Sequence, residues 1–178
     1  MTFIKSIKTE LKNITLKEYD PPAPELLITD QECISIAFLD TETTGVNRAS
    51  DEIIELALKV VTFEKASGKI VSIDREYESF NDPGEEISQE ITMLTGISDE
   101  MVEGQSIDWE RVDAILKDAE IVVAHNAGFD RAFVDRYSSV SPNKIWACSM
   151  QDIDWLGRGF SSFKQELLCY WHGFYFDA

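Results

Sequence analysis

No stretch of the 178-residue sequence approaches 18 consecutive apolar residues, and the N-terminus MTFIKSIKTELK lacks the apolar segment and small-residue cleavage site of a secretory signal. A spanning helix and an exported protein are set aside, and a soluble cytoplasmic protein with no membrane partner is expected. Cysteine is scarce. Cys33, Cys148 and Cys169 are odd in number, widely spaced and not arranged as CxxC, so neither a disulfide framework nor a thiolate zinc site is suggested. Buried thiols are the expectation. His125 and His172 are the only histidines, and nothing near either would activate a cysteine as a nucleophile. Internal repeats and low-complexity segments are also missing.

Positive charge is the other deficit. Sixteen Lys and Arg stand against 33 Asp and Glu, for a net charge of −17. Residues 31–110 hold 5 basic and 19 acidic residues, against 4 and 5 in 1–30 and 7 and 9 in 111–178. A surface this acidic repels the phosphate backbone over long range, which excludes a nucleic-acid coating protein held by counterion release. It leaves open an enzyme that grips one strand end through metal ions.

What the sequence does have is core material: 44% hydrophobic residues, ten Phe and four Trp, enough for one domain. Residues 1–30 space Phe3, Ile4, Ile7 and Leu11 with a roughly helical period before "YDPPAPELL", so an N-terminal helix and Pro-rich linker are expected there, followed by a main domain over 31–178. "CISIAFLD" reads as a strand, "EIIELALKVVTF" (52–63) as a strand buried on both faces, and "GKIVSIDREYESF" (68–80) as its hairpin partner. Helices are expected within "EEISQEITMLTGIS", over 106–119 and over 127–140, with strands at 120–126 and 144–149 and helical stretches near 150–157 and 162–172. That order predicts an α/β fold with a mixed sheet, antiparallel at first and parallel later, flanked by helices.

Two short stretches carry chemistry. In "FLDTETTG", Asp40 and Glu42 share strand parity, so a strand that continues this far projects both carboxylates from one face. Taken alone, the pair reads first as a solvated acidic turn and only second as a metal site. "VVAHNAGFD" then places Asp130 in the first turn of a helix after a buried strand, where the helix N-terminus itself favours an Asp. Three carboxylates converging from two strand ends suit Mg²⁺ or Mn²⁺, and two such ions would activate a water and stabilise the leaving oxygen of a phosphodiester.

"FLDTETTG" followed by "DEIIELAL", and later "AHNAGFDRAFV", resemble the first and second motifs of the DEDD exonuclease superfamily, in its DEDDh branch. That family contains the proofreading epsilon subunit of bacterial DNA polymerase III. The similarity runs from about Ile34 to Trp171 and includes "LTGIS", "WACS" and "FKQELLCYWHG". It implies a ribonuclease-H-like fold and metal-dependent 3′-to-5′ exonuclease activity at nucleic-acid 3′ ends, of the DNA-proofreading or trimming type. By position, Asp40, Glu42 and Asp130 would be the catalytic metal ligands for two Mg²⁺ or Mn²⁺ ions. Thr43, Thr44, Asn126 and Phe129 would meet the nucleotide, although Phe129 also reads as core packing and Asn126 as a hydrogen bonder that orients the backbone. His125 reads as a satisfied histidine at a strand end. The implied partners are a single-stranded DNA or RNA 3′ end and a DNA polymerase. Arg131, Arg136, Arg158 and Lys164 lie in the less acidic part, the expected side for the strand.

The family's third motif is a late helix bearing H-x4-D, whose histidine serves as general base. "HGFYFD", His172 to Asp177, has that spacing, but Gly173 and the aromatic run Phe174 to Phe176 oppose a helix. The segment therefore reads as a connector leading into a motif helix missing from the C-terminus, which would impair turnover. The contrasting expectation is a non-catalytic exonuclease-like module that binds nucleic acid or supports assembly.

Overall fold

Alternation decides which side chains of the first long strand reach the core. In the computed structural model, which describes residues 17–18 and 25–175, Cys33–Thr43 forms strand β1. Ala37, Leu39, Thr41 and Thr43 are buried on one face, and Phe38, Asp40 and Glu42 project from the other. The second strand, β2 (Ile53–Glu64), runs antiparallel to β1, and β3 (Ile70–Phe80) runs antiparallel to β2. Gly68, at φ +66°, lies in the turn between them, a backbone region that glycine enters without steric cost. Two short strands, β4 (Ile121–Ala124) and β5 (Ile145–Cys148), add in parallel on the far side of β1, giving the order β3-β2-β1-β4-β5. The expected mixed sheet is present, antiparallel first and parallel later.

Contacts divide the described chain into two compact units, one over 25–149 and one containing 150–175 with Lys17–Glu18. The larger holds the sheet and helices α1 (Gln89–Thr95), α2 (Asp99–Val102), α3 (Trp109–Asp118) and α4 (Gly128–Val134). Ser88 and Asp108 cap α1 and α3 by accepting backbone N–H bonds from Ile91 and Arg111. Helical spacing puts Val112, Ile115 and Leu116 of α3 into one cluster with Leu39, Leu56, Val122 and Phe133. Burial of each of these large apolar side chains is worth roughly 1.5–3 kcal/mol, which is what fastens the helices to the sheet.

Several sequence expectations are corrected. Helix α4 stops at Val134 instead of reaching residue 140: the backbone tightens to i−3 bonds at Arg136 and Tyr137, and beyond it Ser138 bonds to Asp113 while Ser141 bonds to Ser138 and Asp135. Residues 150–157 form turns, with Asp154 accepting the Gly157 N–H at 2.8 Å. The last helix, α5, is confined to Gln165–Trp171. The short helix α2 and a 3-10 turn at Ser141–Asn143 had no counterpart in the sequence reading. All three cysteines are partly exposed instead of buried. The N-terminal helix expected in 1–30 falls mostly outside the described residues; Lys17–Glu18 is extended.

In the smaller unit, Lys17–Glu18 pairs in parallel with Phe174–Tyr175, beyond Gly173 at φ +82°. Phe160 sits at its centre, edge-on to Trp155 and Trp171. Among the described residues, no helix is long and apolar enough to cross a membrane.

Candidate active site

The carboxyl end of β1 brings the acidic residues together. Asp40 pairs opposite Ala57 and Glu42 opposite Glu55, after which a one-residue irregularity between Glu42 and Thr43 moves Thr43 opposite Ile53. Glu42 and Glu55 are therefore a directly opposed pair of like charges. Two residues beyond β4, Asn126 takes φ +71°, the left-handed conformation that Asn tolerates better than most side chains, and its carbonyl accepts the Phe129 N–H at 2.7 Å. This turn starts α4 so that Asp130, 2% exposed, lies beneath β1. Its Oδ1 accepts both the backbone N–H of Thr41 at 3.1 Å and the Thr41 hydroxyl at 2.9 Å. The residue between Asp40 and Glu42 thus carries the third carboxylate.

The electrostatics follow from that crowding. Burial pushes the Glu42 carboxyl up to about 7, reinforced by the charges of Asp40, Glu55 and Asp130. Burial likewise raises Asp130 to about 6 against the lowering effect of the Thr41 hydroxyl bond, with Asp40 adding to the rise. Asp40 remains exposed on one side, yet the protein packed around the rest of it raises its pKa, opposed by His125 and the Thr41 backbone. His125 Nδ1 lies 2.9 Å from Ser149 Oγ. Glu55 is raised by burial, then Glu78 and Asp40. Among the described residues, no lysine or arginine contributes to these shifts.

As they stand, no three His, Cys, Asp or Glu side chains among the described residues form a group tight enough to hold an ion. Asp130 is turned onto Thr41. The donor set nonetheless fits a hard divalent cation, since every donor is a carboxylate oxygen and their mutual repulsion is what a bound cation would relieve.

A protein-family model described as RNase_T, Exonuclease, matches residues 37–167, well over half of the chain. The chain belongs to this exonuclease family. Curated relatives of this exonuclease chain include the PolC-type DNA polymerase III of Halalkalibacterium halodurans, 43% identical over 100 residues that make up 54% of this chain and 6% of that protein. The PolC-type enzyme of Thermotoga petrophila is 35% identical over 127 residues, 70% of this chain and 8% of its own. The matched region is less than a tenth of the length of either relative.

Among solved structures, exonuclease X in complex with 5′ overhanging duplex DNA is 29% identical, with a TM-score of 0.50 over 71% of this chain and 66% of that one. A product-bound exonuclease I has a TM-score of 0.61 over 79% of this chain and 39% of that one; at 13% identity it shows the shared fold alone. The fold is thus the ribonuclease-H-like one of the exonucleases.

Within this exonuclease domain the other candidate residues separate. Thr43 is buried and donates its hydroxyl to the Gly45 carbonyl at 2.6 Å. Thr44 is tied to Glu52 twice: its N–H donates to the Glu52 carbonyl at 2.8 Å, and its Oγ1 accepts the Glu52 N–H at 3.0 Å. Asn126 is exposed at its turn. Phe129 packs against the main core with its ring 5.0 Å from that of Phe133. Arg131 and Arg136, expected as strand-facing cations, are engaged within the protein by Asp135 and Glu52. Glu55 and Glu52 escaped the sequence reading. Their relevance depends on which residues of β1 and its following loop lie opposite them, and only the pairing register supplies that.

Proposed function

We propose that this chain is a metal-dependent exonuclease domain that hydrolyses phosphodiester bonds from the 3′ end of a single nucleic-acid strand, in the manner of a proofreading or trimming enzyme. The observation that supports the proposal is the electrostatic crowding of Asp40, Glu42 and Asp130, with Asp130 bonded to Thr41, the residue between the other two, and each carboxyl raised by burial. Asp40, Glu42 and Asp130 would hold Mg²⁺ or Mn²⁺, and the ions would supply water activation and stabilisation of the leaving oxygen. Thr41 holds Asp130 beside the strand that carries the other two, and a bound ion would draw the Asp130 carboxylate toward them. The Thr43–Thr44 backbone, which follows Glu42 directly, would meet the terminal nucleotide. An unpaired end suits a surface this acidic, because metal-bridged phosphates and stacked bases can replace a broad basic groove. The polymerase relatives support a DNA polymerase as partner and DNA as substrate.

The test uses a single-stranded oligonucleotide labelled at its 5′ end, with Mn²⁺ and with EDTA. A descending ladder in Mn²⁺, absent in EDTA and in Asp40→Asn, is the expected result; prompt release of the 5′ label as a mononucleotide would overturn the polarity. A second reading, a non-catalytic exonuclease-like module, draws on the inward turn of Asp130 onto Thr41. Mn²⁺ titration separates them: saturable binding lost in Asp40→Asn supports the nuclease, and no binding supports the module.

A further inference from the structure

Helix α4 and its following turn are tied to β1 and to the segment after it, one bond system to each. One tie is Asp130 to Thr41. The other lies six residues on, where Arg136 Nη2 meets Glu52 Oε1 at 2.5 Å while Nη1 donates to the Asp51 carbonyl. Tyr137 donates its hydroxyl to the other Glu52 oxygen, Oε2. Both side chains are held in place before they reach Glu52. The Arg136 guanidinium lies over the Tyr137 and Phe133 rings at 5.2 and 5.9 Å, and Tyr137 stacks on Trp109 at 5.0 Å. Glu52 in turn holds Thr44 through its own backbone N–H and carbonyl. Glu52 therefore passes the position of the α4 turn to the Thr43–Thr44 segment.

We propose that Arg136, acting through Glu52, is a positioning residue that fixes the Thr43–Thr44 edge for the terminal nucleotide of the strand; this rests on the exonuclease reading above. The forked guanidinium is suited to the task because its rigid plane reaches a carbonyl and a carboxylate from two separate nitrogens, whereas an ammonium must serve both from one atom without a fixed geometry. The two ties divide the work. Asp130–Thr41 serves the metal ligands, and Arg136–Glu52 serves the nucleotide, so loss of the second weakens substrate binding more than the chemical step.

The experiment compares wild type, Arg136→Ala, Arg136→Lys and Glu52→Gln in Mn²⁺-dependent turnover of a single-stranded oligonucleotide, Mn²⁺ affinity and amide hydrogen exchange. Arg136→Ala should raise KM about tenfold with kcat changed less than about threefold. Mn²⁺ affinity should stay at the wild-type value, and exchange at the Thr44 and Glu52 amides should quicken about tenfold or more. Arg136→Lys should recover part of the KM loss, because it keeps the ion pair and loses the fork. Glu52→Gln should fall between wild type and Arg136→Ala, since it leaves the backbone bonds to Thr44 in place. Unchanged KM or unchanged exchange in Arg136→Ala would overturn the positioning role, as would a fall in kcat alone. Wild-type protein with no Mn²⁺-dependent turnover would overturn the exonuclease reading itself; faster exchange in Arg136→Ala would then mark the tie as structural only.

Discussion

Asp130 and Thr41, 89 positions apart in sequence, are joined by two hydrogen bonds onto a single carboxylate oxygen. One comes from the backbone and survives any substitution except proline. The other comes from the hydroxyl and can be removed cleanly. Thr41→Val should make the metal-free chain less stable by about 1.5–3 kcal/mol at pH 7.5, the usual scale for a bond to an ionised group. The Asp130 carboxyl should titrate above its present value of about 6. Urea unfolding and the carboxyl carbon chemical shift measure the two effects, and a variant as stable as wild type would show that the backbone bond suffices.

Metal-free protein should lose stability as pH rises through the carboxylate window. Asp130 and Glu42 have folded pKa values near 6 and 7, above their unfolded values of about 3.9 and 4.3. Their protonated forms favour the folded state fully below about pH 4, and this advantage is lost as pH climbs through about 6 to 7. Urea midpoints in EDTA from pH 4 to 8 should fall, and the fall should be shallower in Asp130→Asn. A steeper fall in that variant would contradict the origin assigned to it.

Mn²⁺ should reverse that loss. An ion that binds only the folded chain adds about 2.7 kcal/mol of stability at one hundred times its dissociation constant. The gain at pH 7.5 should vanish in Asp40→Asn, read as the shift in thermal midpoint with and without the ion.

Glu55→Gln tests the opposed carboxylates. Removing the charge across from Glu42 should stabilise the metal-free chain by up to about 1 kcal/mol at pH 7.5, the scale of a cross-strand pair. It should also lower the Glu42 pKa from about 7, since Glu55 is among the charges raising it. Mn²⁺ affinity should weaken because the site carries less negative charge. A stabilised variant with unchanged Glu42 titration would separate the packing effect from the charge effect.

Asp113 provides a contrast with opposite sign. Burial pushes its carboxyl up, but bonds from the Ser138 and Ser139 hydroxyls and the Ser139 N–H outweigh that and hold it below the ordinary range. Asp113→Ala should cost about 1–3 kcal/mol at neutral pH. The cost should shrink as pH falls below about 4, where wild type also loses the ionised acceptor. A pH-independent difference in urea midpoint would mean that the side chain acts by packing alone.

The local placement of the candidate residues was legible because strand parity and helix position are local. "FLDTET" puts Asp40 and Glu42 on one face whatever else the fold does, and the "AHNAGFD" turn puts Asp130 in a first helical turn. The direct opposition of Glu42 and Glu55 was not legible, because it depends on pairing two strands across a loop with a one-residue register change at the end. The end of α4 was hidden for a related reason. Where the helix ends, the Ser138 and Asp135 side chains are taken up by Asp113 and Ser141, and Asp113 comes from a separate helix. Residues 150–157 misled by composition: their apolar residues suggested a helix, while Asp154 and the glycines at 157 and 159 make turns.

The antiparallel meander of β1, β2 and β3 is complete by Phe80 and closes through short sequence separations. Asp130 emerges about fifty residues later, and its contact with Thr41 must wait for β4 to dock beside β1, a long-range pairing that forms slowly. During synthesis on the ribosome, two of the three acids are therefore in place well before the third. A chain halted inside the α3 region would display Asp40 and Glu42 without Asp130, so the proposed site could assemble only late, with closure of the parallel half of the sheet.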